Sequence, residues 1–114
     1  MEIKVSSQGD VTVLELKGRL SLGGGAAVVR EDVRRELDSG HHRLLLDILH
    51  VDAIDSTGLG VLVASLTTAH RLGGALKLLH PSPRVADVLE ITQADRLFEI
   101  FDDEDLALQS FRQS

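Results

Sequence analysis

The chain has 114 residues, 43% of them hydrophobic, and no cysteine; that suits one domain with its own core and excludes disulfides and thiolate metal sites. A net charge of −6 opposes phosphate backbones and anionic lipid, and 3% aromatics leave no stacking platform for single-stranded nucleic acid, so no nucleic-acid partner is expected. No membrane association is expected either, and the expected location is cytoplasmic: MEIKVSSQGD lacks a signal-type apolar stretch, and the longest charge-free apolar run, between Asp55 and His70, is shorter than the roughly 20 residues of a span.

Residues Ile3 to Ser7 and Val11 to Lys17 read as strands around the turn Gln8-Gly9-Asp10. GRLSLGGG, residues 18–25, reads as a loop. An amphipathic helix follows from Ala26 to Leu37, with Ala26, Val29, Val33 and Leu37 on one face and Gly40 placed to end it. RLLLDI, residues 43–48, is nearly continuous in apolar character, as expected of a central strand covered on both faces. After LHVDAIDSTGLG a second helix runs to about Leu72, with Leu59, Leu62, Val63, Leu66 and Ala69 on a shared face and Gly73-Gly74 as its stop. ALKLL, residues 75–79, is another strand. Ser82-Pro83 is a good N-cap and first-turn pair for a third helix to about Leu89. LFEIF, residues 97–101, reads as the last strand, and Asp103 can cap a final helix to Arg112 with Ala107 and Phe111 turned inward.

This order predicts a single α/β domain over 1–114, with a mixed β-sheet of about five strands and four helices. Strands joined through helices pair in parallel, while the opening hairpin is antiparallel.

IDSTGLG, residues 54–60, sets a carboxylate and two hydroxyls ahead of an apolar segment. In the plainest reading Asp55, Ser56 and Thr57 satisfy first-turn amides, with Ser56 or Thr57 near the N-cap, and Gly58 and Gly60 permit a tight turn and close packing. Catalytic patterns do not fit. GLGVLV has Val63 where a dinucleotide fingerprint needs its third glycine, and SLGGGA lacks the Lys-Ser/Thr of a phosphate-binding loop. Ser56 is flanked by Ile54 and Gly58, not by the glycines of a nucleophile elbow. The histidines, His41, His42, His50, His70 and His80, match no metal-ligand spacing; His41-His42 reads as a solvated loop pair, and His50 is the only one near Ser56 in sequence. What remains beside the plain cap is a small hydroxyl at a helix start, where free amides tolerate a phosphate. Ser56 is therefore a candidate phosphoacceptor, and Asp55 would crowd the phosphorylated state with negative charge.

At these residues the chain resembles the bacterial anti-sigma factor antagonists (anti-anti-sigma factors) of the STAS domain family, the sulfate transporter and anti-sigma factor antagonist domains. LKGRL (16–20) is similar to the turn after the family's second strand, LLLDILHVDAIDSTGLGVLV (44–63) to its signature block, and residues 72–108 to its C-terminal half. The resemblance thus covers nearly the whole chain. It implies a phosphoprotein in signal transduction and transcription regulation. Ser56 would be phosphorylated by a serine kinase that is also the anti-sigma factor, with Thr57 as a minor site. The unphosphorylated form would bind that kinase and release the sigma factor; a metal-dependent serine phosphatase would restore it. The chain would be a substrate and ligand, not an enzyme, with no cofactor and no metal of its own, as a monomer or weak dimer. The partner-binding surface would include Ser21, Asp55, Thr57, Gly58 and Leu59, with Asp55 orienting the Ser56 hydroxyl or shaping the kinase contact. Where the family often has Gly-x-Leu-Asp, this chain has Ser21, Leu22 and three glycines, which lower the loop's conformational restraint. The alternatives are a STAS scaffold subunit of a larger signalling assembly and, from a third class, a small-ligand or hydrolytic domain using Ser56.

Overall fold

A computed structural model describes residues 1–112. Strand β1 (Glu2–Gln8) turns at Gly9, whose φ is +64°, and pairs antiparallel with β2 (Val11–Leu20). Then come α1 (Ala26–Asp38), β3 (Arg43–Ile54), α2 (Ser56–Arg71), β4 (Ala75–Leu79), α3 (Pro83–Ile91), β5 (Ile100–Phe101) and α4 (Glu104–Arg112). The sheet order is β1-β2-β3-β4-β5, parallel from β2 onward. This is the mixed five-stranded sheet with four helices that the element order predicts.

Strand alternation divides the core in two. Leu14, Leu44, Leu46, Leu76 and Leu78 share a cluster with Val29 and Val33 of α1, Leu62 and Leu66 of α2, and Val85 and Leu89 of α3. On the opposite face Val11, Val13, Leu45 and Leu79 meet Ala107 and Phe111 of α4. The RLLLDI strand is therefore covered on both faces, as its apolar run requires. Lys77 is buried under α4, and its Nζ donates to Ser110 Oγ at 2.9 Å, pairs with Glu99 at 3.2 Å and lies 4.6 Å from the centre of the Phe111 ring. A buried ammonium needs partners of this kind.

The stops work as the sequence suggests. Gly40 and Gly73 are left-handed (φ +89° and +81°), and the next amides, of His41 and Gly74, reach back to the carbonyls of Glu36 (2.9 Å) and Ala69 (2.8 Å). Ser82 caps α3, and Asp103 Oδ1 accepts from the Leu106 amide at 3.0 Å at the start of α4.

Three elements depart from expectation. β2 continues through Gly18–Leu20, and β3 runs on to Ile54, because irregularities in their pairing absorb the polar residues. Val51 is buried opposite Gly18, whose φ of +130° a side-chain residue rarely adopts, while His50 and Asp52 stay exposed. The last strand is only Ile100–Phe101, since Ala94–Arg96 form a 3-10 turn and Phe98 drops into the core.

Candidate functional site

The long ends of β2 and β3 position the site. Arg19 pairs with Ala53 and Leu20 with Ile54, so the loop after β2 and the start of α2 emerge side by side. The Asp55 amide still donates to the Leu20 carbonyl, at 3.4 Å, before the chain turns into the helix.

Asp55 is the N-cap of α2, in an extended conformation (φ −116°, ψ −174°). Ser56 and Thr57 thus stand next to the N-cap, as expected, and the carboxylate, not a hydroxyl, takes the first-turn amide. Its Oδ1 accepts from the Gly58 amide at 2.9 Å. Its Oδ2 accepts from the Leu22 amide, also at 2.9 Å, across the gap to the β2–α1 loop. The Gly58 amide first, and the Leu22 amide next, hold the carboxyl below the usual aspartate range. Asp55 therefore stitches the loop to the helix; its oxygens are turned to amides and not to the Ser56 hydroxyl.

Ser56 is the first helical residue and is exposed. Thr57 and Leu59 are half-buried, and Leu59 packs against the main core. Gly58 is buried, and a Cβ there would run into the Leu20 carbonyl. Its role is thus close approach of helix to strand. Gly60 has nothing within 4 Å of such a Cβ, so close packing does not require it. Ser21 is half-buried, and its carbonyl accepts from the amides of Gly24 (3.0 Å) and Ala26 (3.3 Å). The Gly25 amide donates to Arg19 O at 2.7 Å. The glycine loop is accordingly turned back on itself and tied at Leu22. Ser21, Asp55, Ser56 and Thr57 lie at one end of the sheet, where β2 and β3 finish side by side.

Leu22 escapes that reading. Its side chain is 78% exposed although its amide is fixed by Asp55. The available signal is a lone leucine among glycines, outside any amphipathic pattern. His50 is in register with Lys17 on the open side of the sheet and not at the start of α2. His41 bonds Glu36 at 2.8 Å, and His42 meets the Leu37 carbonyl at 3.1 Å, so the loop pair is anchored to α1. Among the described residues, no group of three or more His, Asp or Glu side chains is placed to hold a metal ion. Among the described residues, no helix is long and apolar enough to cross a membrane.

Residues 2–107 match the family model described as the STAS domain. A Thermotoga neapolitana relative, named as an anti-sigma factor antagonist homologue, is 41% identical over 66 residues; the match spans 58% of each chain, less than two thirds of that relative's length. The crystal structure of a Thermotoga maritima protein named as an anti-sigma factor antagonist superposes with a TM-score of 0.90 at 30% identity, covering 96% of this chain and 94% of that one. The Bacillus cell fate determinant SpoIIAA, in its phosphorylated form, shares the fold at a TM-score of 0.73 and 17% identity, covering 96% of this chain and 98% of its own. The hairpin-led sheet, the Asp55-capped helix and the match over residues 2–107 make this chain a member of the STAS domain family.

Proposed function

We propose that this protein is a cytoplasmic anti-sigma factor antagonist whose binding is switched off by phosphorylation of Ser56. One observation carries the reading: Ser56 stands exposed at the first position of α2, directly beside a cap carboxylate already engaged by two amides. The anti-sigma factor is also a serine kinase. It docks on the surface formed by Ser21, Leu22, Asp55, Ser56, Thr57 and Leu59, with Gly58 holding the helix close beneath. Leu22 supplies an apolar anchor.

The kinase's own ATP supplies the phosphoryl group. The Ser56 oxygen forms the new bond to the γ-phosphorus, ADP leaves, and the hydroxyl proton goes to a base on the kinase. The product carries about 1.5 to 2 added negative charges next to an ionised Asp55. Re-docking would bury that cluster against a nucleotide site without a matching cation, which costs both repulsion and desolvation. A loss of about 2.7 kcal/mol corresponds to hundredfold weaker binding. The domain itself stays folded, since helix-start amides accommodate an anion. A serine phosphatase resets the switch.

The test is titration calorimetry against the kinase, recovered from native lysate with ATP or ADP present. Unmodified protein and Ser56→Ala should bind alike, because Asp55 and not Ser56 caps the helix. Phosphoprotein should bind about a hundredfold more weakly, and Ser56→Glu should fold yet bind poorly. Equal affinity of the phosphorylated and unmodified proteins would rule the switch out.

A further inference from the structure

Strand β1 is the edge of the sheet, paired on one side with β2 and uncovered on the other. Edge strands are usually blunted by a bulge, a proline or an isolated lysine. β1 has neither of the first two: its pairing with β2 is regular from Glu2 to Gln8. It has Lys4, but that charge is not isolated. On the face bearing Lys4, Glu2 sits opposite Lys17 and Lys4 opposite Glu15, a four-residue checkerboard of alternating sign. Among the described residues no helix covers this patch: all four side chains are exposed around an open depression that His50 also lines. On the other face Ile3 is half-buried and Val5 is 45% exposed.

We propose that β1 pairs antiparallel with β1 of a second copy, about a twofold axis through Ile3, to form a continuous sheet across a weak dimer. A twofold perpendicular to the sheet keeps the two faces distinct, so only residues of like face can be opposed. Centring the pair on Lys4 sets two lysines against each other, and centring it on Glu2 sets two glutamates. Centring it on Val5 opposes Lys4 to Ser6 and gives no charge an opposite partner. Centring it on Ile3 opposes Glu2 to Lys4 twice. The checkerboard then continues across the interface as Lys17, Glu2, Lys4 and Glu15, the last two from the second copy. The opposite face brings Ile3 against Ile3 and Val5 against Met1, an apolar row. An antiparallel pair tolerates either a hydrogen-bonded or a non-bonded centre, so the backbone accepts this register. The occupant is another copy of the chain because the pattern is self-complementary: the strand carries both halves of each pair.

So short an edge buries less than the ~1,200 Å² of stable interfaces, which points to association in the range of about 0.1 to 1 mM. Opposite-charge cross-strand pairs also make it salt-sensitive. The test is sedimentation equilibrium of the full chain at millimolar concentration, with folding checked by circular dichroism. Wild type should dimerise, less so in high salt. Lys4→Glu alone and Glu2→Lys alone should stay monomeric, since each opposes like charges. Their equimolar mixture should dimerise, because each foreign edge restores both pairs. General charge attraction cannot produce that recovery, as both variants keep a net negative charge. If the edge variants lose structure, amide exchange on wild type decides, with concentration-dependent protection expected along Ile3–Val5. A monomeric wild type, single variants that still dimerise, a mixture that does not, or protection that ignores concentration would each overturn the pairing. Ser56→Glu should dimerise like wild type, which keeps this result separate from that of the phosphorylation switch.

Discussion

Helices α2 and α3 begin in the same way and to different ends. Each follows a parallel strand, each has a side-chain cap, and each carries a serine within its first two positions. At α3 the serine is the cap itself: Ser82 Oγ donates to the Val51 carbonyl at 2.7 Å and accepts from the Val85 amide at 3.4 Å. Pro83 takes the first helical position, where its fixed φ suits the helix and its missing N–H costs nothing. At α2 the cap is Asp55, so the serine moves one place on, into the position that Pro83 holds in α3. One serine is spent on structure and the other is left facing solvent. Ser56 thus faces solvent outside the cap, while the Ser82 hydroxyl is engaged both as donor and as acceptor.

The largest expected difference is in phosphate acceptance. With the cognate kinase, Ser56→Ala should abolish most incorporation, while Ser82→Ala should leave it intact. Phosphopeptide mapping checks this, and phosphate found mainly on Ser82 or Ser110 would remove the basis for separating the two helix starts.

The third helical position gives the next effect. Val85 fills it in α3 and is 1% exposed; Gly58 fills it in α2, where a Cβ would meet the Leu20 carbonyl. Backbone cannot step aside as a side chain can. Gly58→Ala should therefore cost about 1 to 3 kcal/mol in urea unfolding. Gly60→Ala, with open space around its Cβ, should gain about 0.5 to 1 kcal/mol from helix propensity. Equal effects would mean that α2 does not depend on its close approach to β2.

Smaller still is the hydroxyl itself. Ser82→Ala removes a cap and leaves the Val51 carbonyl without that donor, for about 1 to 2 kcal/mol. Ser56→Ala should stay within about 0.5 kcal/mol, as an exposed substitution away from any cap. Thermal unfolding of the pair measures both.

The sequence makes one of these helix starts plain and half-hides the other. Ser82-Pro83 announces itself because proline has few other uses at that point. In Asp55-Ser56-Thr57 all three residues are acceptable caps, and propensity cannot choose among them. The choice is made by Leu22, 33 residues away in sequence, whose amide takes the second carboxylate oxygen. The ends of β2 and β3 are obscured for a related reason. Gly18, His50 and Asp52 interrupt the apolar pattern, yet a shift in pairing register keeps Val51 buried and the polar residues outside. The uninterrupted apolar run, Leu44 to Leu46, is legible because burial on both faces leaves it no polar residue to place. Local pattern thus predicts the mixed sheet, its opening hairpin and the helix stops, while the long-range hydrogen bond that builds the site has no local trace.

Acid should separate the two helix starts last and least. The cap of α2 is ionised and that of α3 is not. The Gly58 amide, followed by the Leu22 amide, lowers the Asp55 carboxyl below the ordinary aspartate value of about 3.9. A group whose folded pKa is depressed contributes stability that is complete above its unfolded pKa and is lost as pH falls through the folded one. The stitch between the β2–α1 loop and α2 should thus hold down to about pH 4 and loosen below it. Ser82 has no charge to lose, and α3 should not respond over that window. NMR titration reads both at once: the Gly58 and Leu22 amide shifts should follow the Asp55 carboxyl, and Val85 should stay still. Asp55→Asn keeps a competent cap and should abolish the pH response of Leu22 while leaving α2 in place. If Asp55 titrates at or above the ordinary value, its two amide bonds are not the ones that hold the charged form. If Val85 moves with Gly58, the acid effect is global, and the carboxylate cap is not what distinguishes the start of α2.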